Sequence, residues 1–273
     1  MRYADLHMHT RFSSDGMDEL GDMCEAVLRR GMDGAAFTEH YDALPPGHVE
    51  LPYELDSLYY DQHDAAARRA VMDARERYNG RLQISYAVEL GQPHTDPEAS
   101  RALLASHDYD FVLGSIHVDG TGLDYYRVDF TALDIPQMFR DYYAEHLRMI
   151  EFGGIDSIAH LDYPVRKMER FLEKPAGMWA YRDCVAEVVR AAAKNGIAME
   201  INTRGLHSWF GRVSPEPWVL ELYRDFGGSY VTTGSDAHNI RDAAYGIREA
   251  ASLAESLGFR VAYGYVNHTP LFE

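Results

Sequence analysis

The chain has 273 residues and carries 26 Lys+Arg against 43 Asp+Glu, for a formal charge of -17. So acidic a surface repels a phosphodiester backbone and argues against nucleic-acid binding. No apolar run approaches the ~18 residues of a membrane-spanning helix, so neither nucleic acid nor membrane is an expected partner. Hydrophobic residues at 46% and charged residues at 25% suit a globular protein with a sizeable core. The two cysteines, Cys24 and Cys184, predict reduced thiols in a cytoplasmic protein, and the charged, histidine-bearing start predicts no secretory leader. The unusual count is 13 histidines.

In chain order, short β-rich runs alternate with longer segments of helical period. A strand at 3–7 is followed by a helix at 18–30, a strand at 34–38 by a helix at 55–78, and a strand at 82–89 by a helix at 96–106. Strands at 111–115, 157–159, 198–202 and 230–233 follow, interleaved with helices at 135–152, 178–195, 215–226 and 242–257, and 259–266 adds a terminal strand. Glycines at 31, 80, 196 and 258 mark helix ends. About seven β/α units with no glycine-rich phosphate loop and no low-complexity linker predict one α/β domain over 1–273, built on a mostly parallel sheet. Two irregular stretches, 41–52 and 118–130, follow predicted strands, where parallel α/β proteins place their substrates.

The histidines and carboxylates gather at strand ends. His7 and His9 close the first strand in DLHMHT, His40 the second in FTEH, Glu89 the third in VELG and His117 the fourth in GSIH. His160 and Asp162 close the fifth in AHLDY, Glu200 lies in the sixth, and Asp236 and His238 close the seventh in GSDAH. In a parallel barrel these ends share one rim. Side chains two apart on a strand face the same way, so His7/His9 and Asp236/His238 each turn two donor atoms inward. With Asp15 on the first loop, His7, His9, His40, Glu89, His117, His160, Asp236 and His238 make nine candidate ligands of the imidazole and carboxylate type, which suits divalent zinc, manganese or iron. One catalytic zinc takes about three protein ligands; nine predict two to three ions. Clustered ions clamp the attacking and leaving oxygens of phosphate esters. Glu200 is expected to pair with an arginine rather than ligate, and Asp162 to orient His160 or nearby backbone, or to protonate a leaving group.

Taken together, DLHMHT, SSDG, FTEH, VELG, GSIH, AHLDY, EINTRGL and TGSDAH resemble the polymerase and histidinol phosphatase (PHP) superfamily, within it most the monofunctional bacterial histidinol-phosphate phosphatases. The resemblance spans nearly the whole chain. It implies a distorted (β/α)7 TIM-like barrel with a metal cluster at the C-terminal rim. It further implies His7, His9, Glu89 and Asp236 on a first metal, with Glu89 bridging to a second completed by His117 and His160, and Asp15, His40 and His238 on a third. Two departures stand out: some relatives carry histidine where this chain has Asp15, and many place a basic residue where it has His207. The implied activity is a metal-dependent phosphomonoesterase acting on a small phosphorylated substrate, L-histidinol phosphate. Arg166 and Lys167, which follow the fifth strand, are candidates to grip the phosphate from a short loop beyond His160, Arg166 preferentially because its guanidinium binds bidentately, the alternative being a solvated pair that opens a helix; His207 is a further substrate-side candidate. The alternatives are another small phosphoester, a non-catalytic metal-binding module, or an amidohydrolase, which the absence of a strand-end lysine disfavours.

Overall fold

The computed structural model describes residues 2–44, 54–173, 176–207 and 211–273. Eight strands form one parallel sheet in sequential order: β1 (Ala4–Asp5), β2 (Gly34–Asp42), β3 (Gln83–Gly91), β4 (Phe111–Ser115), β5 (Ser157–Ile158), β6 (Ala198–Asn202), β7 (Tyr230–Gly234) and β8 (Arg260–Val261). The helices between them are α1 (Leu20–Arg29), α2 (Glu54–Arg77), α3 (Pro97–Ser106), α4 (Ile135–Phe152), α5 (Tyr163–Leu172), α6 (Arg182–Lys194), α7 (Pro217–Asp225) and α8 (Ile247–Ser256). Among the described residues none is long and apolar enough to cross a membrane.

The sheet curls until its first strand meets its seventh. Leu6 N–H donates to Thr233 O at 2.9 Å, Asp236 N–H to His7 O at 2.8 Å and His9 N–H to Ala237 O at 2.8 Å. β8 pairs with the start of the same strand, Tyr230↔Arg260 and Val231↔Val261. One edge of β7 is therefore shared, by β8 at its beginning and by the β1 segment at its end. That sharing is the distortion in this TIM-like barrel.

Strand parity sorts the side chains. Ala4, Leu6, Ala36, Ala87, Phe111, Leu113, Ala159 and Ala262 fill the lower barrel interior with Tyr265, while Phe37, Val88, Val112, Ile158, Met199 and Val231 face the helices in a larger core. On β2 the inward set 36, 38, 40 carries His40 to the rim; on β3 the set 87, 89 carries Glu89. The bottom is covered by a hairpin, β9 (Gly264–Val266) with β10 (Thr269–Leu271).

Helix boundaries follow local chemistry. Asp96 and Asp134 cap α3 and α4 by accepting from Ala99 N–H and Gln137 N–H, with a proline in each first turn. α8 starts at 247 rather than 242 because Gly246 adopts φ 73°, outside the helical region. A 3-10 turn, Trp179–Tyr181, replaces the first residues of the helix expected from 178. The terminal strand expected at 259–266 is interrupted, giving β8 and β9. α5 is the element that hydrophobic periodicity missed: its buried face, Pro164, Val165, Arg166, Met168 and Glu169, includes two charged side chains. Most of the irregular stretch 41–52 lies outside the described residues; 118–130 is described and forms part of the site.

Candidate metal centre and substrate cavity

The rim brings all nine candidate ligands together. His7 Nε2 lies 3.1 Å from His9 Nε2 and 3.3 Å from Glu89 Oε2, and both imidazoles stand 3.9 Å from Asp236 Oδ1. His117 Nε2 and His160 Nε2 are 3.4 Å apart and lie 3.2 Å and 3.1 Å from Glu89 Oε1. Asp15 lies 2.9 Å from His238 Nε2 and 3.7 Å from His40 Nε2. The His9 ring stacks between His40 and His238, at centroid distances of 4.0 Å and 4.3 Å. Four sets of three donors converge: His9/His40/His238, His7/His160/Asp236, His7/His9/Glu89 and His40/Glu89/His117.

The outward nitrogens settle what the inward ones present. His7 Nδ1 donates to Glu200 Oε1 at 2.7 Å, His117 Nδ1 to Asp42 Oδ1 at 2.9 Å and His238 Nδ1 to the Asp236 carbonyl at 2.9 Å. His9 Nδ1 faces Ser13 Oγ at 3.3 Å, and that hydroxyl is itself spent as a donor to Glu39. With the Nδ1 atoms so engaged, the Nε2 atoms point at one another and at carboxylate oxygens, so that each imidazole, when neutral, turns a lone pair inward. Two lone pairs facing each other at 3.1 Å repel unless a proton or a metal cation lies between, and imidazole-carboxylate sets braced from behind suit divalent transition metals. The residues therefore fit the metals that the sequence implies.

The charge balance carries the same signature. Against the cost of burial, His7, His117 and His40 hold the Glu89 carboxyl well below the usual carboxylate range, and His7 and His238 do the same for Asp236. Glu200, Glu89 and Asp236 hold His7 well above its ordinary value despite burial, whereas burial and the neighbouring His40 and His238 push His9 well below.

Among the described residues Glu200 pairs with no arginine. Besides His7, it accepts His160 N–H at 2.9 Å and the Asn202 amide at 3.1 Å, bracing two candidate ligands at once. Asp162 does not orient His160: 1% exposed, it accepts the Ser214 hydroxyl and lies 3.6 Å from Arg166 Nε, outside the lining of the cavity. Arg166 itself is not in a loop but in the first turns of α5, 8% exposed, with one Nη2 contact to Asp236 at 4.0 Å. Lys167 is half-buried with Nζ over the rings of Tyr163 (4.4 Å) and Tyr126 (4.7 Å), and burial pushes its ammonium down to about 8. His207 packs on Tyr245 at 3.8 Å and lies 4.0 Å from Asp242.

Above the cluster opens a cavity of about 1350 Å³, lined by Arg166, Lys167, Arg170, Arg204, His207 and Asp124 among others. Arg204 escaped the sequence reading: its guanidinium donates to the Asp236 carbonyl at 3.1 Å and lies 3.5 Å from Asp242, three residues before His207. Asp42 and Glu39 were also missed. The parity rule applied two residues past His40 would have found Asp42; Glu39, on the opposite parity, is visible only through Thr10 and Ser13, which donate to it.

The comparisons agree with this architecture. The PHP domain model matches residues 5–204. A Thermotoga maritima protein named "Probable histidinol-phosphatase" is 29% identical over 255 residues, 93% of this chain and 92% of that one. Lactococcus lactis histidinol-phosphatase is 25% identical over 264 residues, 95% and 93% of the two chains. The crystal structure of the Lactococcus lactis histidinol phosphate phosphatase, complexed with zinc, L-histidinol and phosphate, superposes with a TM-score of 0.78 at 21% identity and 99% coverage of both chains. A match over residues 5–204 takes in seven of the nine convergent ligands, from His7 to His160, and Asp236 and His238 join them through the β1–β7 seam; the chain belongs to the PHP domain family.

Proposed function

We propose that residues 1–273 form one PHP-type domain that hydrolyses L-histidinol phosphate to L-histidinol and phosphate with two to three divalent transition metals. The observation that carries the reading is the division of Glu89. Its Oε2 faces His7, His9 and His40 at 3.3, 3.5 and 2.9 Å, while its Oε1 faces His117 and His160. A carboxylate so divided suits a bridge, with His7, His9 and Asp236 on one side and His117 and His160 on the other. Asp15, His40 and His238 form the third set.

When bound, the metals supply positive charge for the phosphoryl oxygens and a nucleophilic oxygen at neutral pH. The chain's own groups do the rest. Glu200, Asp42 and Ser13 fix the imidazole tautomers, so the donor atoms need no reorganisation. Arg166 and Lys167 reach the cavity from α5 and hold non-bridging phosphate oxygens, with Arg204 facing them from the turn after β6. Asp162 positions Arg166 rather than transferring a proton, since it is buried behind the guanidinium. The likeness in sequence to histidinol-phosphatases over nearly the full chain supports the substrate.

The test is a panel of phosphomonoesters with metal-replete protein. L-histidinol phosphate is expected to give the highest kcat/KM; a nucleotide or sugar phosphate that exceeds it overturns the substrate, and no hydrolysis of any monoester overturns the activity.

A further inference from the structure

Among the described residues five carboxylates line the cavity: Asp15, Asp42, Asp124, Asp236 and Asp242. Four of them face a basic side chain. Asp15 meets His238, Asp42 meets His117, Asp236 meets His7 and Arg166, and Asp242 meets Arg204 and Arg241. Asp124 differs. It is 8% exposed, and its carboxylate accepts only from neutral donors, the Tyr126 N–H and the Tyr163 hydroxyl at 3.2 Å. Among the described residues no lysine, arginine or histidine nitrogen reaches it within the 4.0 Å of an ion pair. Lys167 approaches the same wall but places its ammonium over the rings of Tyr163 and Tyr126.

The fold holds this acid beside the cluster. Asp124 pairs with Val118 across a tight antiparallel turn, and the next residue, Tyr125, donates its N–H to the His117 carbonyl at 3.1 Å. The Tyr163 ring that supports Asp124 also lies 5.1 Å from the rings of both His117 and His160. His117 and Lys167 act on this carboxylate only from beyond ion-pair distance; a nearly buried carboxylate without a direct ion pair is costly, and one that opens on a cavity is relieved by a cationic ligand. The closeness of Tyr163 and Asp124 to His117 and His160 puts this wall within reach of the alcohol carbons of a phosphomonoester seated at the cluster. In L-histidinol phosphate the carbon next to the phosphorylated CH2 bears an ammonium group. We propose that Asp124 receives that ammonium and thereby makes the cavity selective for phosphate esters of amino alcohols. This rests on the phosphatase reading above.

Asp124→Asn keeps the shape and an acceptor for Tyr163 while removing the charge. Metal-replete wild type and variant are compared on L-histidinol phosphate and on p-nitrophenyl phosphate, with L-histidinol and inorganic phosphate as inhibitors. The ratio of kcat/KM for the two substrates is expected to fall about 10- to 150-fold, mostly through KM, as for a lost charge-assisted contact. Inhibition by L-histidinol should weaken by a similar factor, inhibition by phosphate much less, and Asp124→Glu should restore part of the ratio. A wild type that prefers L-histidinol phosphate, with the same ratio in the variant, overturns the role of Asp124 alone. A wild type that hydrolyses p-nitrophenyl phosphate but not L-histidinol phosphate overturns the substrate reading and the Asp124 assignment with it.

Discussion

At the base of the barrel, Asp156 accepts Val112 N–H at 2.8 Å and faces His268 Nδ1 at 2.9 Å, while Asp110 accepts Tyr86 N–H, Asn267 N–H and the Arg75 guanidinium. At the rim, His7 Nε2 meets His9 Nε2, His117 Nε2 meets His160 Nε2, and Glu89 takes five imidazoles around its two oxygens. The residue types are the same at the two ends, but the pairing is opposite. Below, donors match acceptors, which ties the terminal hairpin to the strand starts and completes the core. Above, acceptors crowd acceptors, a configuration that stores affinity for cations. Composition alone does not distinguish these uses; hydrogen-bond accounting does.

Substitutions at the two ends should therefore fail in different ways. Glu89→Gln removes the charge between two donor sets and is expected to lower turnover at least about 100-fold and release metal, read by steady-state kinetics with elemental analysis. Arg166→Ala should leave metal content intact and cost about 10- to 150-fold in kcat/KM, with Arg166→Lys recovering only part because it lacks the fork. Wild-type efficiency in Arg166→Ala would remove it from the phosphate site. Glu200→Gln frees the His7 tautomer without touching a metal, so metal affinity should fall about 10- to 100-fold, measured by competition with a chelator. Damage equal to that of Glu89→Gln in turnover would break the distinction between ligand and brace. Lys167 is charged below about pH 8 and neutral above it, so kcat/KM should decline about tenfold or less as pH rises through that value. Lys167→Ala should lower the efficiency at neutral pH and flatten that decline. At the base, the half-exposed His268–Asp156 pair predicts under about 1 kcal/mol of stability lost in His268→Ala, by denaturant titration.

How much of this was legible in the sequence depended on periodicity. The strand-end ligands were legible because parity and a parallel sheet place 7 and 9, or 236 and 238, on one rim whatever the loops do. Glycines 31, 80, 196 and 258 ended helices as expected, each with positive φ. α5 was not legible, because its buried face carries Arg166 and Glu169, whose burial is offset by Asp162 and by Arg212, contacts remote in sequence or hidden from hydropathy. The braces were partly legible: Glu200 stood out as a strand carboxylate, but its partner His7 lies 193 residues away. Asp124 was legible only as part of the irregular stretch 118–130, since its meaning lies in the direct ion pair that it lacks among the described residues.

The central claim is that the crowding of acceptors at the rim is a multinuclear metal site. Elemental analysis of the protein, as prepared and after reconstitution with zinc, manganese or iron, tests it most directly. The account predicts two to three ions per chain, falling with Glu89→Gln and unaffected by His268→Ala. A content that never exceeds one ion per chain under any of these conditions would contradict it.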